Sequence, residues 1–190
     1  MSRLQAIPRD AQRDEPWANG AGSTTVILRE PDDADWRIRV SVACVEREGP
    51  FSELPGACRL LVPLDAPMTV RFPDGSERGA MRFGTLQFDG SPAPFGLLPE
   101  GPTRDFNLML RDGARGEVHP RTLVDAMVLP PEAGARWLVY LDSGRAALRA
   151  GNDRGIELNP HDAALVIPGG GEARVLIEGA GEIVLVKLYA

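Results

Sequence analysis

Residues 39–59 read RVSVACVEREGPFSELPGACR, and the interpretation of the whole chain starts from this stretch. Apolar and polar side chains alternate from Trp36 to Cys44, and a period of two is typical of a half-buried β-strand. The polar side of this strand carries Arg37, Arg39 and Ser41. The stretch therefore predicts a strand with an unusually polar face.

The strand is followed by a loop that proline and glycine stiffen. Gly49-Pro50 is a turn signal, and Pro55-Gly56 is a second one before the chain returns to another arginine, Arg59. We expect the rest of the chain to build a barrel around this segment.

The remaining sequence also favours short strands. Gly (21 residues) and Pro (17 residues) are spread through the 190 residues, and apolar spacing almost nowhere follows the helical period. Many short strands separated by turn residues are typical of a sandwich or barrel, so we predict an all-β fold with little helix. The predicted strands cover residues 23–29, 36–44, 60–64, 68–72, 81–88, 104–111, 122–129, 136–141, 146–150, 163–167, 173–178 and 182–189.

A proline-rich segment suggests where the chain divides. Residues 91–102 contain four prolines, which a central strand does not tolerate, so we interpret them as the connection between two halves. The expected halves are residues 1–98 and 99–190, packed as one unit with exchange of strands between them allowed. Asp105, Asn107 and Arg111 give the first strand of the second half a polar face as well.

Composition excludes several partners. The net charge of −6, from 27 acidic and 21 basic residues, argues against nucleic-acid binding, which needs a basic surface. No apolar run approaches the roughly 18 residues of a membrane helix, so no membrane partner is expected. The first ten residues lack a secretion signal, and a cytoplasmic location is expected.

The sequence contains no motif that is typical of a metal site or of a catalytic nucleophile. The two histidines, His119 and His161, belong to no H-x-H or H-E-x-x-H pattern, and Cys44 and Cys58 lack metal-site spacing. No G-x-S-x-G elbow or P-loop is present. We expect no metal site, no cofactor and no catalytic residue, although a carboxylate-bound metal stays an alternative.

The polar strand faces then allow three interpretations. They could meet solvent, as polar strand faces usually do. They could hold a structural ion pair, for example Arg39 with Asp105, that fixes strand register. They could instead line the mouth of a small barrel, where arginine binds a carboxylate and Ser41 and Asn107 orient it.

Four motifs, taken in order, resemble the HutD/Ves family over nearly the whole chain. They are W-x-N-G-x-G-x-T from Trp17 to Thr24, R-x-S-x-A from Arg39 to Ala43, G-x-F-S-x-x-P-G-x-x-R from Gly49 to Arg59, and D-F-N-x-M from Asp105 to Met109. The chain departs from the family pattern at Leu54, where an aromatic residue is common, and at Ile38, where Trp often stands.

The resemblance implies two cupin-like (RmlC-like jelly-roll) barrels in one chain. It also implies a link to histidine utilisation, with an accessory or regulatory role through binding of an intermediate such as formylglutamate. Another branch of the family is associated with environmental stress, and no enzymatic activity is securely attached to either branch.

Our leading hypothesis is a non-metal bicupin, monomeric or homodimeric, that binds a small acidic metabolite. Arg39, together with Arg59, would anchor a carboxylate, and Trp17 would cover the site with an aromatic face. The full set of expected ligand-binding residues is Trp17, Asn19, Thr24, Arg39, Ser41, Ser52, Arg59, Asp105 and Asn107. Two alternatives stay open, namely a cupin enzyme (isomerase, hydrolase or dioxygenase) of unknown substrate and a stress-related interaction protein.

Overall fold

A computed structural model describes residues 2–17, 22–130, 132, 134–151, 155–167, 169 and 174–189. These residues form sixteen strands, one 3-10 turn (Arg9–Ala11) and no α-helix, so the all-β prediction is confirmed. All of the strand pairs are antiparallel. The strands are β1 (Arg3–Ile7), β2 (Arg13–Pro16), β3 (Gly22–Glu30), β4 (Ile38–Val45), β5 (Gly49–Pro50), β6 (Cys58–Pro63), β7 (Met68–Arg71), β8 (Glu77–Ala80), β9 (Leu86–Asp89), β10 (Phe95–Leu97), β11 (Thr103–Leu110), β12 (Gly116–Leu129), β13 (Ala135–Ala150), β14 (Ile156–Leu158), β15 (Ala163–Ile167) and β16 (Val175–Tyr189). Within the described ranges, no helix has the length and apolar character needed to cross a membrane.

The chain forms two compact units. The central unit is Gln12–Ala114, and the terminal unit combines Met1–Ala11 with Arg115–Ala190. β1 belongs to the terminal unit because it pairs with β15, and β11 belongs to the central unit because it pairs with β4 and β6. Residues 99–114, which the sequence places in the second half, therefore lie in the central unit.

The central unit consists of two sheets that pack around one core. The larger sheet has the order β2-β3-β4-β11-β6-β9, and the smaller has the order β5-β10-β7-β8. Apolar side chains from both sheets form the core, including Val45 and Leu61 from the larger sheet and Met68 and Val70 from the smaller. The face of β4 that carries Val45 also carries Ser41 and Arg39, because side chains two apart share a face.

The terminal unit is built on one six-stranded sheet. Its order is β1-β15-β13-β16-β12, with β14 paired to β13. The sequence predicts a turn at residues 142–144, but β13 continues through them with a register shift between Leu141 and Ser143. A Cβ atom at Gly181 would lie 2.0 Å from the Ser143 carbonyl oxygen, so glycine here permits close approach of two strands. Glycine allows a bulge in a continuous strand at this place, and the predicted turn is wrong.

Two further predictions in the central unit are wrong. Of the strand predicted over residues 81–88, only residues 86–88 lie in a strand, β9; residues 81–85 connect β8 to β9, and Phe83 among them has a positive φ of 58°. The proline-rich segment was expected to hold no central strand, yet β10 lies between β5 and β7. Since β10 spans only Phe95–Leu97, the prolines on either side lie outside its hydrogen-bonded ladder.

Candidate functional site

A cavity of about 490 Å³ lies in the central unit. Its volume falls within the roughly 300–1,000 Å³ that is usual for small-molecule sites. Eight of the nine residues expected to bind ligand line it: Trp17, Thr24, Arg39, Ser41, Ser52, Arg59, Asp105 and Asn107. Asn19 lies outside the described residues. The structure thus brings the eight together, and their role in ligand binding stays a prediction.

Strand register explains why residues far apart in sequence meet here. Asn107 on β11 lies opposite Ser41 on β4, and Met109 lies between Arg39 on β4 and Arg59 on β6. Asp105 is on the same face of β11 because it is two residues from Asn107. Three adjacent strands therefore present one polar surface to the cavity.

A buried chain of hydrogen bonds crosses this surface. Arg59 Nη2 donates to Asn107 Oδ1 at 3.3 Å, and Asn107 Nδ2 donates to Asp105 Oδ1 at 2.9 Å. The exposed fractions of Arg59, Asn107 and Asp105 are 5%, 1% and 0%. We call these three residues the buried relay, since the amide of Asn107 connects a cation to a carboxyl group.

Several polar atoms at the relay have no hydrogen-bond partner. They are Nε and Nη1 of Arg59, Oγ of Ser41 and Oδ2 of Asp105. Leaving a buried polar group unsatisfied costs about 1–3 kcal/mol, so proteins rarely place several together. Acceptor oxygens of a ligand would satisfy the donors of Arg59 and Ser41, and Asp105 Oδ2 could donate to such an oxygen when the carboxyl is protonated. The clustering of these atoms marks this side of the cavity as the candidate site.

Burial perturbs both charged ends of the relay. It raises the pKa of Asp105 to about 6, against the opposing effects of the Arg59 charge and the Asn107 hydrogen bond. Burial also lowers the pKa of Arg59 to about 10, and the nearby charge of Asp105 limits that fall. Arg59 therefore stays a cation at neutral pH, whereas Asp105 changes its charge near pH 6.

Arg39 is engaged differently from what the sequence suggests. Its Nη2 donates to Glu15 Oε2 at 3.1 Å, and its Nη1 lies 3.7 Å from Met109 Sδ. Burial lowers the pKa of Arg39, and the Glu15 carboxylate opposes this effect. The alternative of a structural ion pair, for which Arg39 with Asp105 was the example, is not formed by these two residues, because Arg39 pairs with Glu15. A solvent-facing strand surface is also wrong for Ser41, Asp105 and Asn107, which are all buried.

Aromatic rings surround the cationic part of the site. The Arg59 guanidinium lies 4.6 Å from the centroid of Phe51 and 5.6 Å from that of Phe88, distances at which cation–π attraction operates. Trp17 Nε1 donates to Thr24 Oγ1 at 2.8 Å, which orients the indole. A Cβ atom at Gly22 would lie 3.1 Å from the Trp17 ring and 2.1 Å from a backbone oxygen, so a larger residue there would displace the indole.

Other lining residues were not found from the sequence. Glu15 and Trp36 line the cavity, and Glu15 neutralises Arg39. The segment that contains Glu15 shows neither strand alternation nor a helical period, so no signal in the sequence identified β2. Trp36 is the first residue of the predicted polar strand, but its position in the alternation indicated the face opposite to Arg39 and Ser41.

The described part of the chain contains no group of three or more His, Cys, Asp or Glu side chains placed to hold a metal ion. The acidic groups that line the cavity are Glu15 and Asp105. The chemistry that the described residues of the cavity can offer is therefore hydrogen bonding and charge in the buried relay.

The chain is similar to one protein family in sequence and to several solved proteins in structure. The HutD family model matches residues 9–185, and no curated protein matches the chain. A conserved protein of unknown function from Pseudomonas aeruginosa PAO1, PA5104, has a similar structure, with a TM-score of 0.86, 23% identity and 98% of each chain covered. HutD from Pseudomonas fluorescens SBW25 gives a TM-score of 0.79, 22% identity and 98% coverage of each chain. YhhW from Escherichia coli gives a TM-score of 0.70 and 8% identity, with 99% of this chain and 98% of that chain covered.

At these identities the solved structures show the fold, which is of the cupin type. The family model covers nearly the whole sequence and extends over both units. The chain belongs to the HutD family.

Proposed function

We propose that the chain binds a small acidic metabolite in the cavity of the central unit, as an accessory or regulatory protein of histidine utilisation. The observation that carries this proposal is the buried guanidinium of Arg59, whose Nε and Nη1 lack hydrogen-bond partners beside the cavity. A buried cation with unused donors is the complement of a carboxylate.

The charges around the cavity favour an anion. Glu15 is already shared between two arginines, with its oxygens 3.1 Å from Arg39 and 3.6 Å from Arg29. Arg59 faces Asp105 only through Asn107, and Asp105 loses its charge near pH 6. An entering carboxylate therefore meets more positive than negative charge, and the buried setting strengthens that attraction.

The cavity also suggests how the rest of a ligand would be held. Arg59 is the main anchor in this proposal, and Arg39 is the secondary one because Glu15 occupies part of its guanidinium. Ser41 Oγ can donate to a ligand oxygen, and Trp17 and Phe51 offer apolar surface to its carbon chain. Ser52 is exposed and lines the cavity from the loop that follows β5.

Membership in the HutD family motivates a specific ligand class. Formylglutamate-like molecules carry two carboxylates and a formamide group, which match two arginines at different depths and neutral hydrogen-bonding groups between them. The link to histidine utilisation rests on the family, whereas the choice of an anion rests on the cavity.

Calorimetric titration tests this proposal. Purified protein would be titrated with N-formyl-L-glutamate, L-glutamate, urocanate and L-histidine at pH 6. We expect the dicarboxylates to bind and histidine to bind weakly or not at all, since it has no second carboxylate. NMR spectra of the recovered ligand separate simple binding from the enzyme alternative. Absence of binding by all four compounds at millimolar concentration would rule out the proposal in this form.

A further inference from the structure

We propose that the cavity takes up one proton together with each anion it binds, and that Asp105 carries this proton. The inference rests on the proposed function and adds the protonation chemistry of the same site. In this proposal Asp105 is ionised in the free protein at pH 7 and protonated when an anion is bound, so its protonation offsets the negative charge of the ligand.

The geometry of the buried relay is the first reason. Asn107 links Arg59 to Asp105 through bonds of 3.3 and 2.9 Å, and all three side chains are almost fully buried. A ligand carboxylate at Arg59 would put a second negative charge beside one guanidinium. Burying an uncompensated charge is costly, and a buried group usually neutralises itself instead.

Among the described residues, Arg59 is the cation whose charge acts on Asp105, although Arg29, Arg39 and Arg47 also line the cavity. Across the sheet, Asp105 lies opposite Ala43 on β4 and Pro63 on β6, and neither side chain is charged. Beyond Ala43, the residues that are paired in turn are Thr24 on β3 and Glu15 on β2. Glu15 is paired with Arg39, and Arg59 is the cation that acts on Asp105. The smaller sheet contributes Gly49, Pro50, Met68 and Gly96 to the cavity, and none of these side chains is charged. Arg104, the next residue on β11, is paired with Asp65.

The direction of the proton movement follows from these charges. In the free protein the pKa of Asp105 is about 6, so the group is mostly ionised at pH 7. An anion bound at Arg59 competes for the positive charge and raises the pKa of Asp105 further. Binding at pH 7 should therefore draw about one proton per ligand from the buffer.

Titration calorimetry in two buffers measures this uptake. N-formyl-L-glutamate is a suitable probe because its carboxylates do not titrate between pH 6 and 8. Wild-type protein would be titrated at pH 7 in phosphate and in imidazole, whose ionisation enthalpies differ. We expect a buffer-dependent enthalpy that corresponds to about 0.5–1 proton taken up, and an affinity that weakens correspondingly by about three- to tenfold per pH unit from pH 7 to 8.

Two variants assign the proton. Asp105→Asn should bind with no proton uptake and with an affinity independent of pH in this range. Asp65→Asn is the matched control, because Asp65 is a carboxyl of the same unit, lies outside the cavity lining and is paired with Arg104. This control should keep the wild-type uptake.

The outcomes separate this inference from the proposed function. Binding by wild-type protein with equal enthalpies in both buffers would overturn the inference and leave the proposed function standing. Proton uptake that persists in Asp105→Asn would overturn the assignment to Asp105. Failure of wild-type protein to bind any of the four compounds would overturn the proposed function and, with it, the inference. The wild-type comparison decides the main question even if a variant does not fold.

Discussion

Arg59→Met should weaken the binding of N-formyl-L-glutamate by about 100-fold or more. Each buried hydrogen bond from a charged donor contributes about 1.5–3 kcal/mol, and two donors of Arg59 are without protein partners. Methionine would pack against the same rings of Phe51 and Phe88 but donates no hydrogen bond. Calorimetry at pH 6 measures the loss, and thermal unfolding shows whether the variant is folded.

Arg39→Met is the matched control for this experiment. Arg39 lines the same cavity, but Glu15 accepts a hydrogen bond from its guanidinium in the free protein. A ligand gains less from a cation that already has a partner, so we expect a loss of about tenfold or less. A greater loss in Arg39→Met than in Arg59→Met would show that Arg39 is the anchor.

Asp105→Asn should make the ligand-free protein more stable than wild type at pH 7.5, by about 1–3 kcal/mol. The folded state raises the pKa of Asp105 from 3.8 to about 6 because burial disfavours its charge. The contribution of this group to stability is complete below about pH 4 and is lost as the pH rises through 6. Asparagine resembles the protonated carboxyl and removes this loss.

Thermal unfolding between pH 5 and 8 measures this effect. The midpoint of wild-type protein should fall relative to that of Asp105→Asn as the pH rises, and the difference should level off above pH 7. Asp65→Asn serves as control, since hydrogen bonds from Arg104 lower the pKa of Asp65 and its contribution is constant above pH 5. Parallel curves for wild type and Asp105→Asn would show that Asp105 is not destabilised by burial.

The sequence located the polar faces of β4 and β11 but not their pairing. Alternation identified Arg39 and Ser41 on one strand and Asp105 and Asn107 on the other, and all four line the cavity. Alternation cannot specify register, because a shift of two residues keeps every side chain on the same face. The distinction between Arg59 and Arg39 depends on register and on β2, so it required the structure.

Strand continuity was harder to predict than strand type. Turn signals at residues 142–144 resemble those of a hairpin, but in β13 they accommodate close contact with Gly181 of β16. Glycine serves both situations because it allows positive φ and close backbone approach. Whether such a glycine forms a hairpin turn or a bulge in a continuous strand depends on the strand that pairs with it, here β16.

A crystal structure of the protein with N-formyl-L-glutamate tests the central claim most directly. The account predicts a ligand in the cavity of the central unit with one carboxylate oxygen about 2.7–3.2 Å from Arg59 Nε or Nη1. A ligand bound outside this cavity, or bound within it without a hydrogen bond to Arg59, would contradict it.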